Sequence, residues 1–208
     1  MTFFNVYLTL FTGISFIGYW VSHYFNYYYF SYFFQSILLL IHYPLILQRL
    51  SFEQELPYLL LGIILGLLLF IISFIFTTPN PIQSLANFVT HILPCFSSEA
   101  VKLNIPIHIK TALWEELYWR VCLQGILMSV LTTHFSIALT AILFWIGHFH
   151  RFKNSIPRML EMILFSLLLG VLFELTESFI LCVTIHFIRN ILIICYRTHV
   201  IRLIENRP

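Results

Sequence analysis

The sequence predicts an all-α fold: a polytopic membrane helix bundle of about seven transmembrane helices plus a short interfacial helix. Three observations lead there. Hydrophobic residues make up 60% of the 208 residues, against roughly 45–50% in a typical soluble domain. Charged residues make up only 10%, with a net charge of +2. The chain also holds 37 aromatic residues, 22 of them Phe. A globule of this length has too little interior to hide so much apolar surface from water. A disordered chain, a secreted disulfide scaffold and a nucleic-acid module are excluded, the last because so small a charge supports no large basic patch. The expected partners are the lipid bilayer and no nucleic acid.

Seven stretches approach the ~20 apolar residues that a helical span requires. They are 3–21, 28–47, 57–76, 107–128, 135–150, 158–175 and 178–196. The first three carry no charged residue. The fifth is short and can extend through Phe152. The last two are parted only by Thr176 and Glu177, which predicts a tight hairpin. The longest connection, 77–106, contains a helical pattern of its own. Asn80 suits an N-cap and Pro81 the first helical position. Ile82, Leu85, Ala86, Phe88, Val89, Ile92 and Leu93 then share one face, so this helix either lies in the membrane interface or packs on the bundle. No repeat or second domain is evident, and residues 1–208 read as a single integral membrane domain. The N-terminus has no basic n-region and no A-x-A-like site, so it is not expected to be a signal peptide.

Basic residues orient the chain. With seven spans, Lys102, Arg151, Lys153, Arg158, Arg197, Arg202 and Arg207 fall on one side and Arg49 alone on the other. The C-terminus is therefore expected to be cytoplasmic. Cys95, Cys122, Cys182 and Cys195 show no CxxC pairing and read as small packing residues.

Ionisable groups within spans are costly and mark function. The fourth stretch holds Glu115, Glu116 and Arg120. Glu116 and Arg120 are one helical turn apart and can pair. Glu115 is rotated by about 100° from Glu116 and has no basic residue one turn away. Two adjacent carboxylates in different surroundings can take different chemical roles. The fifth stretch ends at Phe144, Gly147, His148 and His150. His148 lies inside the apolar run and suits acid–base work beside a buried Glu. His150, next to Arg151, reads as interfacial, and Gly147 allows close approach of a helix or a substrate backbone. In the seventh stretch, His186 and Asn190 share a face and can both donate hydrogen bonds to an anionic oxygen. Arg189 is one position off that face, and Glu161 or Glu174 could pair with it. His42, His91, His108 and His134 lie near predicted ends and carry weak signals. A bundle shields such groups from lipid by turning them toward a shared cavity.

The series E-E-x-x-x-R (Glu115, Glu116, Arg120), F-x-x-x-H (Phe144, His148) and H-x-x-x-N (His186, Asn190) resembles the three signature motifs of the CPBP family. These are the CAAX-processing and bacteriocin-processing, or Abi-type, membrane endopeptidases. The resemblance covers about 107–196, the motif-bearing core. It implies a glutamic-type intramembrane protease that needs no metal or other cofactor. Position by position, Glu115 and His148 would polarise the attacking water. His186 and Asn190 would form the oxyanion hole, Glu116 and Arg120 would support the site, and Phe144 would pack against it. The substrate would be a membrane-embedded or membrane-tethered protein or peptide. Prenylated CAAX proteins, bacteriocin leaders, signalling-peptide precursors and C-terminal sorting tags all occur in the family, and the sequence selects none. Small size and the lack of added domains suggest a prokaryotic cytoplasmic-membrane member, which disfavours prenylated substrates. The alternatives are a zinc-dependent hydrolase using Glu115, His148 and His186, a non-catalytic interaction or immunity protein of the family, and a proton-coupled transporter.

Overall fold

A computed structural model of the chain describes residues 3–25, 28–50, 55–78, 80–152 and 155–205. Of the side chains singled out above, His91, Ile92, Leu93, His150, Arg151, Lys153, Arg202 and Arg207 lie outside the described ones. Among the described residues the regular structure is helical, with no strand. Its elements are α1 (Phe3–Tyr24), α2 (Tyr28–Ile41), α3 (Tyr43–Arg49), α4 (Glu55–Thr77), α5 (Pro81–Ser97) and α6 (Glu99–Glu116). A π-helical segment, Leu117–Gln124, follows, then α7 (Gly125–Met128), α8 (Thr133–Phe152), α9 (Ile156–Thr176) and α10 (Phe179–Glu205).

Each expected stretch falls on a helix or a helical run, but the count of seven clear spans does not hold. Among the described residues, three helices are long and apolar enough to cross a membrane: Leu56–Thr77, Ile156–Thr176 and Phe179–Thr198. A fourth is added if α2 and α3 count as one span, although they meet at a bend of 74°. The bend has a sequence cause. Pro44 lacks the N–H that would continue α2, and its ring crowds the carbonyl one turn back. The fourth stretch is not among these spans, because α6, which starts at Glu99, carries Glu99, Lys102, Lys110, Glu115 and Glu116 and gives way to the π-helical segment at Leu117. Ser98 sets that start: its hydroxyl accepts a hydrogen bond from the Val101 N–H at 3.4 Å. Pro106 is carried inside the helix.

The 77–106 connection is thus mostly two helices. α5 starts at Pro81 as the sequence suggests, but the Asn80 side chain makes no capping hydrogen bond. The apolar face of α5 divides. Phe88 is buried against Phe70 of α4 and Tyr196 of α10, with ring centroids 5.4 and 5.8 Å away. Ile82, Ala86 and Val89 stay exposed. One edge of the stripe docks on the bundle and the other is left apolar and open, as at a lipid boundary.

Among the described residues, the most extensive helix pairing is α4 on α10. Gly62 and Gly66 permit it: a Cβ at either would meet Thr184 Cβ at 2.7 Å or Ile188 Cβ at 2.8 Å. Glycines four residues apart bring two membrane helices into backbone contact. On its other face α4 exposes Leu60, Ile64, Leu68, Ile72 and Ile75. Exposed apolar surface on this scale needs lipid rather than water. The α9–α10 link is as tight as expected, with Glu177 taking a left-handed backbone (φ 52°) and donating its N–H to Phe173 O. Arg49, at the end of α3, pairs with Glu174 of α9 at 2.7 Å. It therefore sits at the end of the bundle opposite Arg158, near the start of α9.

Candidate active site

The π-helical segment that follows Glu116 is buried from Tyr118 to Gln124. π-helical turns are uncommon and tend to occur at functional sites. Glu116 and Arg120 do pair, with Arg120 Nε donating to Glu116 Oε2 at 3.0 Å, and both side chains are fully buried. Arg120 also donates from Nη2 to Ser166 Oγ of α9 at 2.9 Å, and its guanidinium lies 5.4 Å from the Phe144 ring centroid. The second oxygen of Glu116 is engaged too. His186 Nδ1–H donates to Oε1 at 2.6 Å. Glu116 therefore joins the first and third motifs across three helical segments, a link the sequence did not reveal.

Glu115 faces the other way, as helix geometry requires, and meets two histidines. His148 Nε2 is 3.6 Å and His186 Nε2 3.7 Å from the same oxygen, Oε2. These separations are too long for direct hydrogen bonds and short enough for one water to bridge. The tautomer of His148 is fixed by its own helix. Nδ1 lies 2.8 Å from the Phe144 carbonyl, which can only accept, so Nδ1 carries a proton and Nε2 is the ring nitrogen turned toward Glu115. The F-x-x-x-H spacing does two things at once. It supplies that carbonyl, and it stacks the Phe144 ring on His148 with centroids 4.4 Å apart. Gly147 serves helix approach: a Cβ there would stand 3.2 Å from Tyr19 Oη and 3.5 Å from the Trp119 ring.

Asn190 lies one turn beyond His186 on α10. Its Oδ1 accepts from Arg189 Nη1 at 3.2 Å. Of the two expected partners for Arg189, Glu161 is the one used, while Glu174 is taken by Arg49. Arg189 Nε also donates to Ser73 Oγ at 3.1 Å, and Ser73 Oγ–H donates to Glu161.

These groups open onto one cavity of about 800 Å³. Glu115, His148, His186 and Asn190 line it together with Phe144, whereas Glu116 and Arg120 stand behind its wall. Toward the Arg158 end it is bounded by Thr77, Thr78, Arg158 and Arg197. His108 and Thr111 also line it, from the same face of α6 as Glu115. That face is legible in their spacing of three and four residues, but His108 reads as an end-of-helix residue when taken alone. Ser73 carried no sequence signal, because its role comes from helices distant in sequence, and Glu161 was legible only as one of two candidate partners for Arg189. The cysteines pack apart from this cavity, and all four are buried. Among the described residues, no group of three or more His, Cys, Asp or Glu is arranged to hold a metal ion.

Fold and site together define an integral membrane protein whose core encloses a polar cavity built from acidic, imidazole and amide groups. Residues 98–192 match the model of the Rce1-like family, described as type II CAAX prenyl endopeptidase Rce1-like, which is a model of the CPBP family. The match takes in all three motifs. The family is one of proteases acting on membrane-associated substrates, which supports a peptidase. No curated protein and no solved structure gave a significant match.

Proposed function

We propose that the protein is a glutamic-type intramembrane endopeptidase. Glu115 and His148 activate a water that attacks the carbonyl of a peptide bond in a membrane-embedded or membrane-tethered substrate. The observation that carries this reading is the approach of two imidazole Nε2 atoms to one carboxylate oxygen of Glu115 within a large cavity.

Water held between Glu115 Oε2 and His148 Nε2 faces two acceptors, so it gives up a proton as its oxygen bonds to the carbonyl carbon. The carbonyl oxygen gains charge that the ground state lacks. Asn190 Nδ2–H and His186 Nε2–H are the donors for it. Because His186 Nδ1–H is committed to Glu116, Nε2 can donate only from the imidazolium form. Glu116 stabilises that cation and is itself held by Arg120 and kept from turning into the cavity. The C–N bond then breaks, and the proton taken from water passes to the departing amine. No covalent enzyme intermediate forms.

With the C-terminus and the basic helix ends on the cytoplasmic side, the Arg158 end of the cavity faces the cytoplasm. Peptide would enter there. The matched family points to a substrate of the CAAX prenyl type ahead of a bacteriocin leader. The test is to compare membranes from cells making the wild type and Glu115→Gln by mass spectrometry of peptide termini. New C-termini present only with the wild type are expected. Identical sets of termini would favour a non-catalytic role.

A further inference from the structure

The buried cluster of Ser73, Glu161 and Arg189 lies beside the reacting groups, and the mechanism above gives it no part. It ties α4, α9 and α10 together. Glu161 accepts from both Ser73 and Arg189. Arg189 is 5% exposed, and its guanidinium stacks 4.4 Å from the Phe165 ring centroid. Nε and Nη2 are therefore occupied by Ser73 and Glu161, and Nη1 is the group that reaches Asn190 Oδ1.

We propose that Arg189, clamped by Glu161 and Ser73, is a positioning residue that fixes the Asn190 amide with its NH₂ group toward the reacting carbonyl. This rests on the peptidase reading above. An amide presents oxygen and nitrogen on opposite sides, and either side can face a cavity. A guanidinium has no acceptor, so it admits only the oxygen. With the oxygen held, Nδ2 turns away from Arg189. Without this contact the amide can rotate and place a carbonyl oxygen against the developing oxyanion, which repels it. The same clamp reaches the second donor, since the Phe165 ring under Arg189 also meets His186 edge-on at 5.4 Å. A merely structural Arg189 would hold the three helices and leave the amide's orientation to chance.

Arg189→Lys separates the two roles. Lysine keeps a cation for Glu161, so no buried charge is stranded, but one ammonium cannot also span to Asn190. Wild type, Arg189→Lys, Asn190→Ala and the double variant are purified. Each is tested on a farnesylated CAAX peptide carrying a quenched fluorophore, with thermal unfolding measured on the same samples. Arg189→Lys is expected to unfold like wild type and to lose about 10- to 100-fold in kcat with little change in KM. In the Asn190→Ala background it should cost nothing further, because the group it orients is gone. An undiminished Arg189→Lys effect in that background, or an unchanged kcat in the single variant, overturns the proposal. A wild type that cleaves no better than Glu115→Gln refutes the peptidase reading instead. Orientation is then decided without turnover by NMR of ¹⁵N-asparagine-labelled protein. The Asn190 side-chain signals, identified by their loss in Asn190→Ala, should shift and broaden in Arg189→Lys; unchanged signals overturn the proposal.

Discussion

Glu116 accepts from Arg120 through one oxygen and from His186 through the other, in a setting with no solvent exposure. Removing the cation leaves a buried carboxylate poorly compensated. Arg120→Ala is expected to destabilise the protein by about 3–5 kcal/mol, read as a fall in thermal midpoint in detergent. A midpoint equal to wild type would mean that the pair is not buried in the working protein. The spacing of Glu115, His148 and His186 yields a second expectation. Zinc ligands at ~2.0–2.1 Å in a tetrahedron stand about 3.3 Å from one another. The observed 3.6 and 3.7 Å separations are a few tenths wider, and among the described residues no group of three or more His, Cys, Asp or Glu is arranged to hold a metal ion. EDTA should leave activity unchanged, and loss of activity that added zinc restores would contradict the metal-free reading. The Glu116–Arg120 pair and the divergence of Glu115 were legible in the sequence, because both depend only on helical spacing. The engagement of His186 by Glu116 was not, since 70 residues separate them.

Helix packing sets how closely these groups meet. The α4–α10 contact rests on Gly62 and Gly66, and α10 carries His186 and Asn190. Gly66→Leu would drive a side chain into Ile188, whose Cβ is already 2.8 Å from the position of an added Cβ. Overpacking of this kind costs about 1–3 kcal/mol. Displacement of α10 should also lower kcat per folded molecule, although residue 66 touches no substrate. Full activity with a lowered thermal midpoint would show that α10 holds its place without this contact. Helix existence followed from apolar runs, but several boundaries did not. Ser98 rather than the 107 region opens α6, because a capping hydroxyl and the tolerated Pro106 outweigh the polar residues that follow. The break at His42 needed Pro44 to be weighed as a helix stop. The π-helical segment has no signature that apolar periodicity could reveal.

Across the whole molecule, one charged end and one large cavity give the bundle a direction. Lys102, Arg158 and Arg197 belong to the starts of α6 and α9 and to the C-terminal part of α10, while Arg49 pairs with Glu174 at the opposite end. Positive residues favour the cytoplasmic side. A reporter fused to the C-terminus should be active in the cytoplasm, and protease added outside intact cells should leave it uncut; external cleavage would invert the topology and the entry side of the cavity. Composition and hydropathy fixed the membrane class early, whereas the number of crossings depends on helices whose polar residues belong to the site itself. The central claim is that Glu115 is the base. The most direct measurement is kcat of purified Glu115→Gln beside its thermal midpoint, since the amide keeps the shape and removes the base. A loss of about 10²–10⁴ in kcat with an unchanged midpoint is predicted; turnover like that of the wild type from a folded Glu115→Gln protein would contradict the account.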